Sequence, residues 1–291
     1  MASGILNVNK PAGPTSFAVV RTVRRLPGIS KVGHGGTLDP AAEGVLPILV
    51  NAATRLADFI HEWPKTYLAT VTFGAVSDTG DSQGTITPSG DPSGITQARI
   101  EDLLPSFTGR IEQVPPLYSA LKQGGEPLYR KARRGETVER PARKVDIELI
   151  RLTDYEPASA SARLEVRSGR GMYVRSLALD LGTALGCGAY LSALTRLAVG
   201  PLTVDTAIPP AGLEAMGKDW VSRLLPLDLP LHEWPALTLD RDGIDAVRHG
   251  RRVPVPGLAR GRYRMLDADG QLVAWGDADG GNLQPRAVFD P

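Results

Sequence analysis

Residues 33–47 read GHGGTLDPAAEGVLP, so that three glycines, one histidine and one aspartate directly precede an apolar run. Asp39 followed by Pro40 is typical of a helix start, because an aspartate caps free backbone N–H groups and proline fits the first helical position. The glycines also allow the backbone to approach a ligand closely, since no Cβ intervenes. Helix capping does not account for His34. From the residues alone the stretch predicts a helix cap, which is compatible with a close approach of the glycine backbone to a ligand.

The composition limits the class of protein. With 291 residues the chain can form one or two domains. Its 33 basic and 32 acidic residues leave a net charge of +1, which gives no overall case for a polyanionic partner. The longest apolar run, GVLPILV, is far shorter than the roughly 18 residues that a membrane span requires. We expect a cytoplasmic protein with no membrane segment and no secretory signal.

Cysteine and histidine usage argues against disulfides and structural zinc. Cys187 is the only cysteine, so no intramolecular disulfide can form. The 4 histidines, at 34, 61, 232 and 249, lack the close spacing of metal ligands. GHGGTLDP has neither the Lys-Ser/Thr ending of a P-loop nor the GxGxxG spacing of a dinucleotide site. We therefore predict reducing surroundings, no metal and no cofactor.

Hydrophobic periodicity predicts a mixed α/β chain. ILNV indicates a short strand, and PTSFAVVRTVRRL places Phe17, Val20 and Val23 on one helical stripe behind a Thr-Ser cap. TYLATVTF alternates strictly, with Tyr67 on the face of its apolar neighbours. KVDIELI and ARLEVRS read as long strands, and GMYVRSLALDLGTALG has helical periodicity.

A proline-rich stretch divides the chain. Prolines are frequent between Pro209 and Pro235, which is typical of a linker or hinge. Beyond it, TLDRDGIDAVRHG indicates a short helix, and YRMLDADGQLVAWGD a hairpin that turns at Asp269-Gly270. We predict a larger domain in residues 1–225 and a small, mostly β domain in residues 235–291.

Two basic patches lie within the nearly neutral chain. Residues 130–151 carry eight basic against four acidic side chains, and residues 241–264 carry seven against two. Such patches are usually solvated surface, but basic residues mixed with tyrosines also bind phosphates and stack bases. The tyrosines in or near the patches are Tyr118, Tyr129, Tyr155, Tyr173 and Tyr263. The patches leave both interpretations open.

Four blocks of sequence, in order, resemble those of one family. GHGGTLDPAAEGVLPILVNAAT resembles the signature of the bacterial tRNA T-loop pseudouridine synthases, the TruB family. GILNVNKPAGPTSFAVVRTVRR, before it, is similar to that family's opening motif. PPLYSALKQGGEPLYRKARRG and SGRGMYVRSLALDLGTALGCGAYLSALTRLAVG, after it, are similar to its later blocks. The four blocks cover most of residues 4–200.

The resemblance implies a fold and a reaction. The fold is a pseudouridine synthase fold of the α/β (α+β) class, with a long, largely antiparallel central mixed sheet flanked by helices. An RNA-gripping insertion is implied at about residues 115–143, and a short PUA-like RNA-binding domain at the C-terminus, where LVAWGDADGGNLQPRAVFD resembles the last strands. The implied reaction is isomerisation of uridine to pseudouridine at position 55 in the T-loop of tRNA, without a cofactor. We expect a monomer that requires no protein partner.

The resemblance also implies the site residues. The implied catalytic residues are Asp39 as nucleophile, Arg175 as its fixed cationic partner and Tyr67, whose ring lies against the target base. His34 is implied to fill the gap that the flipped base leaves. The implied substrate-binding residues are His34, Tyr173, Leu194, Lys10 and Asp81.

Simpler interpretations of these positions stay open from the residues alone. They are an exposed helix residue for Arg175, a core residue for Tyr67, a surface residue for His34, packing within a helix for Leu194, a turn residue for Asp81 and a structural role for Lys10. Two alternatives for the whole chain also stay open. One is an RNA-binding or RNA-folding protein without catalysis, and the other is a guide-RNA-dependent pseudouridine synthase.

Overall fold

The computed structural model describes residues 1–119, 121–128, 131, 134, 136 and 138–289. The helices in these ranges are α1 (Ser16–Arg24), α2 (Ala57–Glu62), α3 (Gln97–Leu103), α4 (Val174–Leu185), α5 (Pro210–Ala215) and α6 (Arg241–Arg248). The first strands are β1 (Gly4–Lys10), β2 (Val32–His34), β3 (Glu43–Val50), β4 (Lys65–Phe73), β5 (Ala75–Ser77), β6 (Ile86–Pro88), β7 (Gly109–Gln113), β8 (Lys122–Gln123) and β9 (Glu126–Pro127). The later strands are β10 (Arg143–Glu156), β11 (Ser161–Ser168), β12 (Ala189–Val199), β13 (Leu202–Thr203), β14 (Ala236–Thr238), β15 (Val253–Pro254), β16 (Gly261–Leu266), β17 (Leu272–Ala278) and β18 (Asn282–Val288). No helix in the described ranges is long and apolar enough to cross a membrane.

A nine-stranded mixed sheet forms the main body of the protein. Its strands lie in the order β1-β3-β12-β4-β11-β10-β7, with β13 beside β12 and β2 beside β3. Pairing is antiparallel except between β3 and β12, which are parallel where Thr195 and Arg196 face Glu43 and Gly44. The predicted long, largely antiparallel central mixed sheet is confirmed.

A strand, not a helix, follows Asp39, so the helix-cap interpretation is wrong. Pro40 and Ala41 form a turn, after which β3 begins. All residues of β3 after Glu43 are buried, because β3 lies between β1 and β12 and packs into a different core on each face. A strand buried on both faces has a continuous apolar sequence, which periodicity cannot separate from a buried helix.

Helices cover one face of the main sheet along its length and the second face at its β1–β3 end. α3 and α4 pack on β4, β10 and β11, while α1 and α5 pack on β1 and β3 around Trp220. α2 lies on the opposite face of β1 and β3, where Ile60 is fully buried. The β1–β3 end of the main sheet therefore lies between two apolar layers, whereas β10 and β11 are covered on one face and carry exposed charged side chains on the other.

Helix α1 begins where the sequence predicts. Thr15 caps it by accepting a hydrogen bond from the backbone N–H of Ala18 at 3.1 Å. Its buried side chains belong to Ser16, Val19, Val20 and Val23. Phe17 is 65% exposed, so its placement on the apolar stripe is wrong. At about 100° per residue, a side chain that directly follows Ser16 lies outside the arc of the buried residues.

The first half of the predicted linker is folded against the main body. Pro210 begins α5, because proline fits the first helical position, and Trp220 behind it is buried. The indole Nε1 of Trp220 donates to the Pro27 carbonyl at 3.1 Å. Leu225 and Ile5 exchange backbone hydrogen bonds of 2.8 and 3.2 Å along β1. The division into residues 1–225 and 235–291 stays a prediction.

The C-terminal part forms its own five-stranded sheet, β14-β16-β17-β18-β15, with α6 packed on it. The β16–β17 hairpin turns at the predicted Asp269-Gly270 pair. Phe59 of α2, Trp234 and Trp275 make three edge-on ring contacts, with centroids 5.3, 5.4 and 5.5 Å apart. These rings join the C-terminal sheet to α2.

Gly44 permits the parallel contact between β3 and β12, so Gly44→Ala is expected to destabilise the protein. Gly44 has a φ of +104°, and a Cβ there would lie 2.3 Å from the Arg196 carbonyl oxygen. Gly280→Ala is the matched control, since Gly280 has a φ of +107° with its nearest neighbour 3.9 Å away. Strain alone costs about 1–3 kcal/mol, and the clash at Gly44 adds about 1–3 kcal/mol. Urea unfolding measures both variants, and equal losses would contradict the close-contact argument.

Candidate active site

Lys10 supports the loop that carries Asp39 from behind. Its side chain is fully buried, and Nζ donates to the carbonyl oxygens of Pro11, Pro40 and Ala42 at 2.8, 3.1 and 2.5 Å. Burial lowers the pKa of Lys10 to about 8, while the nearby Asp39 charge opposes that shift. A side chain without solvent exposure does not reach a phosphate, so the predicted substrate contact does not fit Lys10. The alternative, a structural role for Lys10, fits this geometry.

Arg196 supports the first half of the same loop. This arginine lies on β12, is 2% exposed, and donates to the carbonyl oxygens of Val45, Thr37 and Gly36 at 2.7, 3.2 and 3.0 Å. Tyr67 faces it across the β4–β12 pairing, close enough for the two side chains to interact electrostatically. Burial lowers the pKa of Arg196, and the contacts with Tyr67 and Asp39 oppose this.

The start of α1 completes the support of the loop. Ser16 Oγ accepts from the Leu38 N–H at 2.8 Å and donates to the Leu38 carbonyl at 2.9 Å. The N–H of Gly13 donates to the Pro40 carbonyl at 2.8 Å. The backbone on both sides of Asp39 is therefore fixed although it is neither helix nor strand.

Arg175 and Asp39 form the predicted ion pair. Nε of Arg175 lies 2.9 Å from Oδ2 of Asp39, and the two side chains are 4% and 36% exposed. The Nε–H finds no aligned acceptor, so the contact is an electrostatic pair rather than a directed hydrogen bond. Nη1 and Nη2 donate to the carbonyl oxygens of Thr79 and Tyr118 at 3.0 and 2.8 Å. Backbone carbonyl groups thus hold the Arg175 guanidinium in place, and the Asp39 carboxylate faces outward.

Asp81 is a second carboxylate near the same cation. Its Oδ2 lies 3.7 Å from Nε of Arg175, and its Oδ1 accepts from Thr79 Oγ1 at 2.6 Å and from the Gln83 N–H at 3.0 Å. Both the turn interpretation and the placement near the active site fit this geometry. Burial raises the pKa of Asp39, the Arg175 charge lowers it, and the Asp81 charge raises it again.

A cavity of about 470 Å³ opens beside Asp39. Tyr67, Tyr173 and Leu194 line it together with Asp39 and Arg175. The side chain of Gln113 fixes the backbone of Tyr173, accepting from its N–H at 2.8 Å and donating to its carbonyl at 3.1 Å. Burial raises the pKa of the Tyr173 hydroxyl. The volume lies within the range of about 300–1,000 Å³ that small-ligand pockets occupy.

Leu194 and Tyr67 reach this cavity from neighbouring strands. Leu194 lies on β12, so the alternative that it packs within a helix is wrong. Tyr67 lies on β4 and packs partly against the main core, as the simple core interpretation expects. Because β4 and β12 pair directly, both side chains are brought to one wall of the cavity.

His34 lines a second cavity, of about 820 Å³, on the other side of Asp39. This cavity shares Asp39 and Arg175 with the first and is also lined by Phe17 and Tyr118. Nδ1 of His34 accepts from the Gly36 N–H at 3.3 Å. Burial lowers the pKa of His34, assisted by the charges of His61 and Arg196, so the neutral ring is favoured.

Sequence patterns do not single out two further cations at the site, Arg196 and Lys65. Lys65 lines the 470 Å³ cavity and donates from Nζ to the His61 carbonyl at 2.5 Å. Burial lowers its pKa to about 8. The available signal for Arg196 is one charge within the apolar run YLSALTRLAV. Its partners are backbone carbonyls of β3 and of the loop before it, at least 151 residues away in sequence, so no local pattern reveals them.

The predicted insertion at residues 115–143 lies only partly within the described residues. Its described part includes the two-stranded β8–β9 hairpin. Arg134 there pairs with Glu126 at 2.7 Å and with Glu136 at 2.6 Å. Tyr129, named above for the basic patch, lies outside the described residues. Among the residues that the structure describes, no group of three His, Cys, Asp or Glu side chains is placed to hold a metal ion.

Comparisons with known proteins agree with this fold. The family model described as "TruB family pseudouridylate synthase (N terminal domain)" matches residues 24–174, and "tRNA Pseudouridine synthase II, C terminal" matches residues 234–290. The chain is 41% identical to "tRNA pseudouridine synthase B" of Xanthomonas campestris, over 99% of this chain and 94% of that protein. It is 41% identical to the protein of the same name from Syntrophomonas wolfei, over 98% of both chains.

Two solved structures have a similar fold over nearly the whole of this chain. The chain in "Crystal Structure of a Cbf5-Nop10-Gar1 Complex" is 27% identical, with a TM-score of 0.74 over 99% of this chain and 85% of that one. The chain in "Structure of H/ACA RNP bound to a substrate RNA containing 2'-deoxyuridine" is 25% identical, with a TM-score of 0.73. The fold and the matched domains define a pseudouridylate synthase. This chain belongs to the TruB family.

Asp81→Asn is expected to move the acid limb of the activity profile to lower pH. The Asp39 carboxyl group is an anion only above its pKa, and the Asp81 charge raises that pKa. Asparagine keeps an oxygen for Thr79 and Gln83 but removes the charge. Single-turnover rates from acidic to neutral pH measure the shift, with Asp78→Asn in the same turn as the control. An acid limb of the pH–rate profile that stays in place, or moves to higher pH, would contradict the argument that the Asp81 charge raises the pKa of Asp39.

Proposed function

We propose that this protein isomerises uridine to pseudouridine at position 55 in the T-loop of tRNA. The observation that carries the proposal is the outward-facing Asp39 carboxylate, held by buried Arg175 at a cavity between Tyr67, Tyr173 and Leu194. Relatives named tRNA pseudouridine synthase B, at 41% identity over nearly the full chain, support tRNA as the substrate.

The reaction is an isomerisation, so its atoms and electrons balance without a co-reactant. The N-glycosidic bond between N1 and the ribose breaks, the base turns, and C5 forms the new bond to the same ribose carbon. C5 loses a proton and N1 gains one. A redox cofactor is unnecessary because nothing is oxidised or reduced overall.

Asp39 and Arg175 supply the group that this bond exchange needs. A carboxylate assists departure of the base by attacking the ribose or the base ring, or by stabilising positive charge on the sugar. Entry of a base would bury Asp39 further and disfavour its anion. Arg175 opposes that effect with a fixed charge 2.9 Å away.

Tyr67 places an aromatic face and a hydroxyl beside the proposed base position. The ring offers a stacking surface for uracil. The Tyr67 side chain faces Arg196 across the β4–β12 pairing and interacts with its charge. A phenol oxygen in that position is a candidate for relaying the proton that leaves C5. Leu194 and Tyr173 then enclose the base.

The target base must first leave a folded loop. Extruding a stacked base costs a few kcal/mol, and a flat ring that fills the vacated space offsets part of that cost. His34 stands at the edge of the second cavity with its neutral form favoured, which suits stacking without a fixed charge. The insertion at 115–143 and the PUA-like domain at 235–291 are proposed to grip the RNA outside the site. The proposed enzyme is a cytoplasmic monomer.

Asp39→Asn tests the reaction itself. The substitution keeps the shape of the side chain but removes its nucleophilic charge, so pseudouridine formation is expected to fall at least about 10³-fold while tRNA binding persists. Asp102→Asn, on the exposed face of α3, is the matched control. Mass-resolved mapping of pseudouridine in tRNA measures formation, and filter binding measures affinity.

The outcome also separates the two rival interpretations. Undiminished formation by Asp39→Asn would reject the assigned nucleophile, and binding without formation by the parent protein would favour an RNA-binding protein without catalysis. Activity of the purified protein on an unmodified tRNA transcript, with no other component, would exclude a guide-RNA-dependent enzyme. Formation at a position other than 55 would reject the T-loop assignment.

His34→Ala is expected to slow modification of folded tRNA by about 10-fold, because no ring then fills the space that the extruded base leaves between its neighbours. A short unstructured RNA with the same target sequence has little stacking to replace, so the variant should be slowed less on it. Single-turnover rates on the two RNAs give the comparison, with exposed His249→Ala as control. Equal rates for variant and parent on intact tRNA would show that His34 has no role in base extrusion.

A further inference from the structure

The mouth of the 470 Å³ cavity carries an ion pair that the proposed chemistry does not use. Arg170 lies in the turn between β11 and α4 and lines the cavity with Asp39 and Tyr67. Its Nη1 lies 2.5 Å from Oε1 of Glu62, the last residue of α2. The two side chains are 64% and 62% exposed. Exposed ion pairs contribute little to stability, so the pair is not needed to hold the fold.

The two members of this pair stand in a turn next to the start of α4 and at the end of an anchored helix. Gly171, directly after Arg170, has a φ of +89°, which shapes the turn only five residues before Arg175. Glu62 ends a helix that is fixed by buried Ile60 and by the ring of Phe59. The guanidinium is therefore held at the rim of the cavity before any ligand arrives.

Two cations lie behind the rim in addition to the Asp39–Arg175 pair. Lys65 and Arg196 are buried in the same cavity wall. Burial is the main cause of the lowered pKa of Lys65, and the charges of Arg196 and Arg170 lower it further while Glu62 opposes them. The field of the Arg170–Glu62 pair thus reaches into the cavity. An anion that replaced Glu62 would meet three cations.

A nucleotide that inserts its base beside Asp39 leaves its ribose and phosphates at the mouth. A phosphodiester is then the anion nearest to Arg170, and guanidinium groups bind phosphate oxygens through paired hydrogen bonds. We propose that Arg170 is a positioning residue that binds a phosphate of the target nucleotide, and that Glu62 occupies the Arg170 guanidinium until RNA displaces it. This inference rests on the proposed function.

Exchange of the Glu62 carboxylate for a phosphate explains how Arg170 can be held in position in the free protein and still be available to bind RNA. In the free protein, Glu62 keeps Arg170 extended along the rim instead of folded onto the surface. When RNA binds, the phosphate gains Arg170 but approaches the Glu62 carboxylate, which repels it. Glu62 therefore weakens RNA binding, and its removal should strengthen it.

Binding of a T-stem-loop RNA to variants built on Asp39→Asn tests this exchange without turnover. Glu62→Gln is expected to tighten binding about 2–5-fold. Arg170→Gln should weaken it about 5–10-fold and reduce the slope of log affinity against log salt by about one phosphate contact. Arg170→Lys should keep the slope but recover only part of the affinity, because an ammonium cannot bind in the paired geometry.

The double variant and a charge control decide the assignment. Glu62→Gln should give a clearly smaller gain when Arg170 is already glutamine, since release of the Arg170 guanidinium is then lost and only the direct repulsion between Glu62 and the phosphate remains. Asp154→Asn removes one acid from another exposed ion pair, with Arg163 at 3.7 Å, and controls for total charge. A gain from Glu62→Gln no larger than the control's, or a full salt slope in Arg170→Gln, would overturn the proposal.

Activity of the proteins that retain Asp39 separates this inference from the proposed function. Arg170→Gln is expected to raise KM with kcat little changed, whereas loss of kcat alone would overturn the phosphate role. If the parent protein binds the RNA but forms no pseudouridine, the proposed function fails while the binding test of Arg170 still stands. If the parent forms pseudouridine and Arg170→Gln matches it in KM and salt slope, only this inference fails.

Discussion

Buried cations that bind backbone carbonyl groups hold the active-site loop in place. Lys10 and Arg196 hold the carbonyls on either side of Asp39, and Arg175 pairs with the carboxylate itself. An isolated charge inside a protein is costly unless polar groups surround it. Here the carbonyl dipoles of the loop and of neighbouring segments are those polar groups. The loop therefore depends on the cations for its conformation, and the cations depend on the loop carbonyls to offset the free-energy cost of their burial. A substitution that removes one partner leaves the other without its polar contacts.

The sheet determines where these cations stand. β1 ends at Lys10, and the parallel pairing of β3 with β12 brings Arg196 against Gly44, next to the loop. α4 follows the turn after β11 and presents Arg175 within its first turn. Three segments distant in sequence thus converge on one short loop. The loop needs no regular structure of its own because its carbonyl groups are already satisfied.

Helix α2 connects the two sheets to the cavity. Phe59 meets Trp234 and Trp275 of the C-terminal part, and Ile60 packs into the main body. The His61 carbonyl holds Lys65, and Glu62 reaches Arg170 at the mouth. A six-residue helix has little stability alone, so its position depends on these tertiary contacts. The electrostatics of the cavity mouth and the attachment of the C-terminal sheet therefore share one element.

The sequence by itself determined the α/β class, the alternating strand that carries Tyr67, the amphipathic helix α1 and the motif with Asp39, because these follow from local periodicity and family resemblance. It misassigned the segment after Asp39 as a helix and Phe17 as buried, since burial on two faces and the angle of a helix are set by neighbours. Only the tertiary structure decided that Lys10 is structural and that Arg196 belongs to the site. A buried cation is defined by the carbonyl groups around it, and those come from segments that meet only when the chain folds.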